Sequence, residues 1–426
     1  MPFLKKTNEY KDMDLNLDRI KNFLVQAKIG YDKLKYIHIA GTNGKGTTAK
    51  LLSDIFTNAG YKTGLYTSPH LVKINERIKV NSKDISDTDF KRIEKKYSCL
   101  LKKNKLTYFE YITAIAFVYF CEQKVDICIL ETGLGGRFDA TNIVKPLVSI
   151  ITTVALDHTE ILGNTISKIA FEKAGIIKQN VPVVCGNMPK TALNKILKVA
   201  KEKSSKAYIF NKDFGCRSLK YNWKNFTQNV LYNGIKIKSE FVYSLLGQSQ
   251  VYNLATVLCV CEILKNTFKN IKLSLIKKVV KSVKFEARFD IRKFKFNDKN
   301  ITVIIDGAHN IQATDNFIKL YKQSPYGKSK CNLIFVIMQE KKYEDVVKRI
   351  SSIAKKVYLI KQNNQRAVKE DILFKLFGKF VKKENIVKCK IKDCFKNIQD
   401  GETVFCTGSF FLAGDIIKFI EGKENV

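Results

Sequence analysis

No stretch of the 426 residues approaches the ~18 consecutive apolar residues that a membrane span requires. The first ten residues, MPFLKKTNEY, lack the apolar core of a secretory signal. On these two absences the expectation is a soluble, cytoplasmic protein with no membrane partner. The eleven cysteines include no CxxC pair. The closest two, Cys259 and Cys261, fall in an apolar helical stretch, so structural thiols in a reducing compartment are expected rather than a disulfide framework. Acid is scarce as well: 40 Asp and Glu stand against 75 Lys and Arg, a formal net charge of +35. A surplus of that size suits a polyanion, either nucleic acid or a small acidic substrate. The lysines are spread along almost the whole chain, with no dense arm and no aromatic-interleaved stripe. Nucleic acid is therefore not expected as a partner, and a field that draws in a small polyanionic substrate fits better. Proline is rare, with six in the chain, and lysine-rich, proline-poor usage also arises from compositional drift.

What is present is ordinary for a globular protein: 45% apolar and 27% charged residues, enough to bury a sizeable core without staples. The length suggests two domains. Short β-branched runs alternate with helical periodicity, the pattern of an α/β protein with a mostly parallel sheet. Residues 35–40, 125–131 and 147–154 are continuous apolar runs, as strands covered on both faces should be. Residues 47–59 place Leu51, Leu52, Ile55, Phe56 and Ala59 on one helical face, and Gly60 is well placed to end that helix. A second αβ series begins near Ile301 with ITVIID, NLIFVIM, KVYLIK, NIVKCKI and TVFCTGS. The charged, aromatic stretch 281–300 has no clear period, and the domain boundary is set within it: 1–286 for the first domain and 287–426 for the second.

Two constellations carry chemistry. The strand KYIHIA runs into AGTNGKGTT and then a helix. Glycines there turn backbone N–H groups onto phosphate oxygens, and the helix N-terminus adds its partial positive charge. Lys45 would reach the β- and γ-phosphates and the Thr47 hydroxyl would sit near a metal. The pattern is not the strict Walker form, because Ile39 stands where its first glycine would be and Gly46 follows the lysine. The rival reading is a glycine-rich turn and nothing more. The second constellation starts from Glu131 at the end of VDICILE, on the ligand-binding edge of such a sheet. An acid there is a candidate Mg²⁺ ligand; its bland alternative is a helix-capping carboxylate. The next strand brings Asp157 and His158 to the same edge, and YTSPHL places Ser68, Pro69 and His70 within reach of it. His70, His158 and His309, three of only four histidines, all fall in loop-like sites after strands.

With these motifs in view, the chain resembles the folylpolyglutamate synthase/dihydrofolate synthase family within the Mur-ligase-like group. The resemblance spans nearly the whole chain. It rests on DMDLNLDRI, HIAGTNGKGTT, YTSPHL, LTYFEYITAIAF, ETGLGGRFDATN, LDH, IAFEKAGI, LLGQSQVYN, DGAHN, MQEKK and TGSFFLAGD, in that order. It implies a P-loop-containing Mur-ligase-type domain with a mostly parallel sheet, followed by a smaller Rossmann-like α/β domain. It implies that Gly44, Lys45, Gly46 and Thr47 hold the ATP phosphates, with Asn253, Arg288 and Asp306 as further ATP contacts. Ser68, Glu131 and His158 would coordinate Mg²⁺, and Lys173 would be carbamylated to N6-carboxylysine near the metal. Lys45, Lys173 and His158 make up the expected catalytic set. Asp12, Met13, Asp14, Thr107, Tyr108, Phe109, Glu110, Phe138, Asp139 and Ala140 would line a pterin site, and His309 lies in the DGAHN loop. Three departures from the family pattern stand out: Ser249 precedes Gln250 where histidine is usual, the linker reads Phe285-Glu286-Ala287-Arg288, and a third segment reads Glu340-Lys341-Lys342.

The activity implied is ATP-dependent ligation of L-glutamate to dihydropteroate, to reduced folates, or to both, by a monomer. A carboxylate is a poor electrophile because oxide would have to leave. Transfer of the γ-phosphoryl group gives an acyl phosphate that an amine can attack, and the enzyme must neutralise the moving charge. Alternatives are a polyglutamate synthase without dihydrofolate synthesis, a Mur-type ligase for another substrate, and a nucleotide-binding protein without catalysis. Roughly 35 residues precede the phosphate loop, short of the ~50 that an added N-terminal domain needs.

Overall fold

The computed structural model describes residues 16–362 and 364–422. The chain divides into two compact units. One comprises residues 1–217, 230–242 and 250–283; the other comprises 218–229, 243–249 and 284–426.

The first unit is built on eight strands: β1 (Tyr36–Ala40), β2 (Thr63–Tyr66), β3 (Ile78–Val80), β4 (Lys83–Asp84), β5 (Ile127–Glu131), β6 (Val148–Ile151), β7 (Val183–Cys185) and β8 (Ala207–Ile209). Their order is β4-β3-β2-β5-β1-β6-β7-β8. The six from β2 to β8 in that order pair in parallel, and β3 and β4 close one edge antiparallel. The apolar runs expected as strands become β1, β5 and β6, each buried at every position. Such strands have both faces covered, which is why their sequences do not alternate. The chain crosses over at β1, with β5 on one side and β6 on the other, and a crossover of this kind opens a crevice at the carboxyl ends of the strands.

Helices supply the cover. Tyr108–Glu122 is buried through almost its whole length, with Phe117 and Phe120 essentially inaccessible. Full burial of a phenylalanine contributes about 1.5–3 kcal/mol before entropy is charged against it. This helix packs in a cluster with Tyr36, Tyr66, Ile93 and Leu130. A second cluster joins Ile151, Val183 and Cys185 to Ile169 and Ala170 of the helix Ile166–Ala174 and to Ile196 of Lys190–Glu202. All eleven cysteines are free thiols. No helix among the described residues is long and apolar enough to cross a membrane.

Strands β9 (Gly215–Asn222), β10 (Thr227–Asn233) and β11 (Lys238–Tyr243) form a three-stranded sheet in which three of the five unit boundaries fall. The second unit carries six strands: β12 (Asp290–Phe296), β13 (Lys299–Ile305), β14 (Cys331–Phe335), β15 (Ala354–Ile360), β16 (Ile386–Cys389) and β17 (Thr403–Thr407), in the order β12-β13-β17-β14-β15-β16. All pairs are parallel except β12–β13. The second αβ series read in the sequence is thus β13 to β17. The stretch 281–300, expected to be irregular, contains β12. Its DIRKFKF alternates with the polar side at the surface, an edge-strand pattern that the high charge disguised.

Candidate active site

The phosphate loop lies between β1 and the helix Lys45–Asn58, whose first residue is Lys45. Gly44 has φ +86°, and a Cβ there would meet Asn253 Oδ1 at 2.2 Å. Glycine is required both for the left-handed backbone and for the approach of Asn253. Asn253 is buried and its Nδ2 donates to Gln250 Oε1 at 3.0 Å. Lys45 Nζ donates to Gly41 O at 3.1 Å and Thr42 O at 3.4 Å, so its ammonium rests along the loop. Lys173 Nζ, from the helix Ile166–Ala174, donates to the same Gly41 carbonyl at 2.9 Å from a buried position. Thr152 Oγ1 donates to Asn43 O at 2.7 Å, and Asn43 N–H donates to Thr153 Oγ1 at 3.0 Å. The two threonines after β6 thus brace the loop from the neighbouring strand. Thr47 is buried at the start of the helix. Gly44, Lys45, Gly46, Thr47, Asn253 and Lys173 therefore gather at one end of β1.

Glu131, the last residue of β5, is buried, and its Oε2 accepts the Ser68 N–H at 3.1 Å. Two of the three expected metal ligands are thus neighbours. His158 follows β6 with φ +49°; its N–H donates to Asp157 Oδ1 at 3.0 Å and its Nε2 lies 3.8 Å from the same carboxylate. Among the described residues no three His, Cys, Asp or Glu side chains group closely enough to hold a metal. A carboxylate with a serine beside it suits a hard cation that takes one or two protein carboxylates and completes its shell with water and phosphate oxygens. The donor set fits Mg²⁺ on that ground. His70 Nδ1 accepts from Arg77 Nε at 2.9 Å, and the Arg77 guanidinium lies 5.5 Å from the Tyr108 ring centroid.

The segment expected to bind a pterin opens the helix Tyr108–Glu122. Thr107 caps it, and Glu110 returns to the Thr107 N–H at 2.8 Å in a reciprocal capping box. Glu110 also pairs with Arg19 Nε at 3.0 Å. Its carboxylate thus already holds a helix end and an ion pair. Phe109 approaches the glycine turn after Glu131: a Cβ on Gly133 would meet its ring at 2.5 Å. Phe138 is exposed, with the Arg137 guanidinium 4.5 Å from its ring centroid. Asp139 is buried, accepting from Gly133 N, Leu134 N, Thr141 N and Thr141 Oγ1. Burial pushes its carboxyl pKa up and these four hydrogen bonds oppose the shift. Ala140 is buried at the start of the 3₁₀ turn Ala140–Ile143. Asp12, Met13 and Asp14 lie outside the described residues.

In the second unit, Asp306 follows β13. Its two oxygens accept the Phe289 and Ala308 N–H groups, each at 2.9 Å. Burial raises its pKa, with the Arg288 charge opposing. The Arg288 guanidinium lies 4.8 Å from the Phe410 ring centroid, and His309 Nδ1 is 2.8 Å from Gly307 O. Glu340, in one of the three segments that depart from the family pattern, pairs with Arg366. The sequence reading missed the bracing residues Thr152, Thr153 and Arg77, and met Thr141 only as a letter of the ETGLGGRFDATN motif without a role.

The chain matches the family model of the Mur ligase middle domain over residues 39–261 and that of the Mur ligase glutamate ligase domain over residues 287–410. It is 31% identical over 420 residues to the dihydrofolate synthase/folylpolyglutamate synthase of Bacillus subtilis, covering 94% of each chain. To the folylpolyglutamate synthase of Lacticaseibacillus casei it is 28% identical over 441 residues, covering 100% of this chain and 97% of the other. Among solved structures, the folylpolyglutamate synthase of Thermotoga maritima aligns with a TM-score of 0.83 at 32% identity, covering 98% of this chain and 96% of that one. Escherichia coli FolC in complex with DHPP and ADP aligns with a TM-score of 0.83 at 27% identity, covering 97% and 95%.

Proposed function

Because this chain belongs to the dihydrofolate synthase/folylpolyglutamate synthase family of Mur ligases, we propose that one site serves both dihydropteroate and reduced folates as acceptors of L-glutamate. The chain is an ATP-dependent ligase of folate metabolism; the two acceptors, the roles of individual residues and the metal are the proposal. The observation that carries the residue roles is the convergence of Lys45 and of Lys173, which lies 132 positions beyond Gly41, on the Gly41 carbonyl of the phosphate loop.

In this reading, backbone N–H groups at the start of the helix Lys45–Asn58 bind the ATP phosphates, and the Lys45 ammonium moves onto the transferring γ-phosphoryl as charge builds. Asn253 braces the loop at Gly44. Ser68, Glu131 and His158 would hold Mg²⁺, which supplies charge neutralisation on the phosphoryl oxygens when bound. Lys173 is the amine on which a carbamate would form: its ammonium gives up one proton, the free amine bonds to CO₂, and a second proton leaves, so that a cation becomes an anionic oxygen donor that would join the Mg²⁺ ligands. The acceptor carboxylate takes the phosphoryl group, the glutamate amine attacks the resulting acyl phosphate, and phosphate leaves. Phe109 and Phe138 offer aromatic faces for the pterin, with Tyr108 beside them and Thr107 and Glu110 holding the helix end. Residues 1–286 would form the ATP-binding ligase domain with the acceptor site and residues 287–426 the glutamate ligase domain, with Arg288 and Asp306 of the latter as further ATP contacts. Asp12, Met13 and Asp14 keep their proposed place in the pterin set. The protein acts as a cytoplasmic monomer.

The test is a pair of assays with purified protein, ATP, Mg²⁺ and glutamate. Offered 7,8-dihydropteroate it should form dihydrofolate, and offered tetrahydrofolate it should form the diglutamate. Product from tetrahydrofolate alone would reduce the proposal to a polyglutamate synthase.

A further inference from the structure

A buried polar chain ties the strand beneath the phosphate loop to the glycine turn that follows Glu131. His38, in the middle of β1, is fully buried and stands in register between Leu130 of β5 and Ser149 of β6. A polar ring at the centre of a parallel sheet costs desolvation that an aliphatic residue avoids, so its hydrogen bonding needs an explanation. His38 Nε2 lies 2.7 Å from Thr141 Oγ1. Thr141 Oγ1 lies 2.6 Å from Asp139 Oδ1, which also accepts the Thr141 N–H at 3.0 Å. Asp139 Oδ2 accepts the N–H groups of Gly133 at 2.8 Å and Leu134 at 2.9 Å.

Counting donors assigns the protons. Three backbone N–H groups, of Gly133, Leu134 and Thr141, face Asp139, so it serves as an acceptor and the Thr141 hydroxyl donates a hydrogen bond to it. Thr141 Oγ1 then has a lone pair for His38, and the matching proton sits on Nε2. Among the described residues Nδ1 has no hydrogen-bond partner; in this tautomer it is a bare acceptor. The reverse order, with a protonated Asp139 and the histidine proton on Nδ1, would bury an unpaired N–H, the costlier orphan. The chain of bonds therefore has one direction, His38 to Thr141 to Asp139.

Its end point is mechanical. Gly133 and Leu134 are the second and third residues after Glu131, and Phe138 and Ala140 flank Asp139. One carboxylate oxygen gathers both amides and closes the loop between them. The same loop contributes the space into which the Phe109 ring packs at Gly133. We propose that His38 is a positioning residue for the ligase: through Thr141 it orients Asp139, and Asp139 holds the 133–139 turn in the shape that receives the pterin or folate acceptor. This rests on the acceptor-site reading above. His38 touches neither substrate nor reacting atoms.

Three variants test it. His38→Leu removes the donor, His38→Gln keeps an amide N–H near the Nε2 position, and Thr141→Val removes the middle hydroxyl with little change of shape. Each is measured by hydrogen exchange of peptides covering residues 132–140, and by kinetics with ATP and the acceptor varied in turn. Loss of one buried hydrogen bond is worth roughly a factor of ten. His38→Leu and Thr141→Val should each speed exchange in 132–140 about tenfold and raise the acceptor KM about tenfold, with the ATP KM changed less than about twofold. His38→Gln should recover most of both effects. Unchanged exchange, a His38→Gln no better than His38→Leu, or faster exchange with an unchanged acceptor KM would each overturn the proposal. If His38→Leu does not fold, the near-isosteric Thr141→Val decides. Should wild type turn over no pterin or folate, the acceptor reading fails, and the exchange measurement still judges the hydrogen-bond chain by itself.

Discussion

Lys45 has a long flexible side chain whose amine lies within hydrogen-bond distance of Gly41 O and Thr42 O, the loop it is proposed to serve. Lys45→Ala removes two weak contacts at the start of a helix, so stability should change little. The rate should not survive: loss of a dedicated charge-stabilising donor costs about 10²–10³ in kcat. Phosphate release at saturating ATP, glutamate and acceptor measures it, and a rate within about tenfold of wild type would remove Lys45 from the chemistry. At this scale the phosphate loop was legible, because GTNGKGT needs glycine and lysine in fixed order. The carboxylates were legible only as carboxylates. Glu110, one of the residues expected in the pterin set, also closes a capping box and pairs with Arg19, 91 positions away. No local pattern announces that pairing. Lys178 is a similar case: its Nζ donates to Asn142 O at 2.8 Å, and burial lowers its pKa to about 8.

The glycine turn after β5 shows how elements constrain one another. Gly136 lies where a Cβ would meet the Glu172 and Lys173 carbonyls at 2.9 Å, and Gly175 where a Cβ would meet Arg137 Cα at 2.4 Å. The turn and the helix Ile166–Ala174 therefore touch through backbone, and the Arg137–Glu172 ion pair at 2.8 Å spans the same contact. Gly133 differs, because its neighbour is the Phe109 ring. Gly133→Ala should push that ring aside and raise the acceptor KM by about tenfold, at a stability cost of about 1–3 kcal/mol for overpacking. The ATP KM should hold. Acceptor-dependent kinetics and thermal unfolding check both halves, and an unchanged acceptor KM would detach Phe109 from pterin binding. That Phe109 fills the space above Gly133 depends on the helix Tyr108–Glu122 crossing the turn.

For the whole molecule the net charge of +35 is the dominant long-range feature. A positive field raises the encounter rate with anionic ATP, and salt screens it, since the Debye length falls from about 30 Å at 0.01 M to about 3 Å at 1 M ionic strength. Across that range kcat/KM for ATP should fall by about tenfold or more, while kcat stays nearly constant. A flat profile would mean that the lysines reflect composition and do not steer substrate.

The sequence by itself determined the fold class, the strands β1, β5 and β6, most of the C-terminal series and the motif residues. These follow from local periodicity and from glycine and β-branched chemistry acting over a few residues. Three things were decided by the tertiary structure. Residues 218–229 and 243–249 join the second unit although no composition shift marks them. β12 forms from a charged run because β13 offers it an antiparallel edge. Lys173, Asn253 and Thr152 reach the phosphate loop because the strand order sets β6 beside β1 and packs the helices carrying the other two against the loop. The last depends on contacts between residues from 109 to more than 200 positions apart, and spacing along the chain carries no record of which of them will meet.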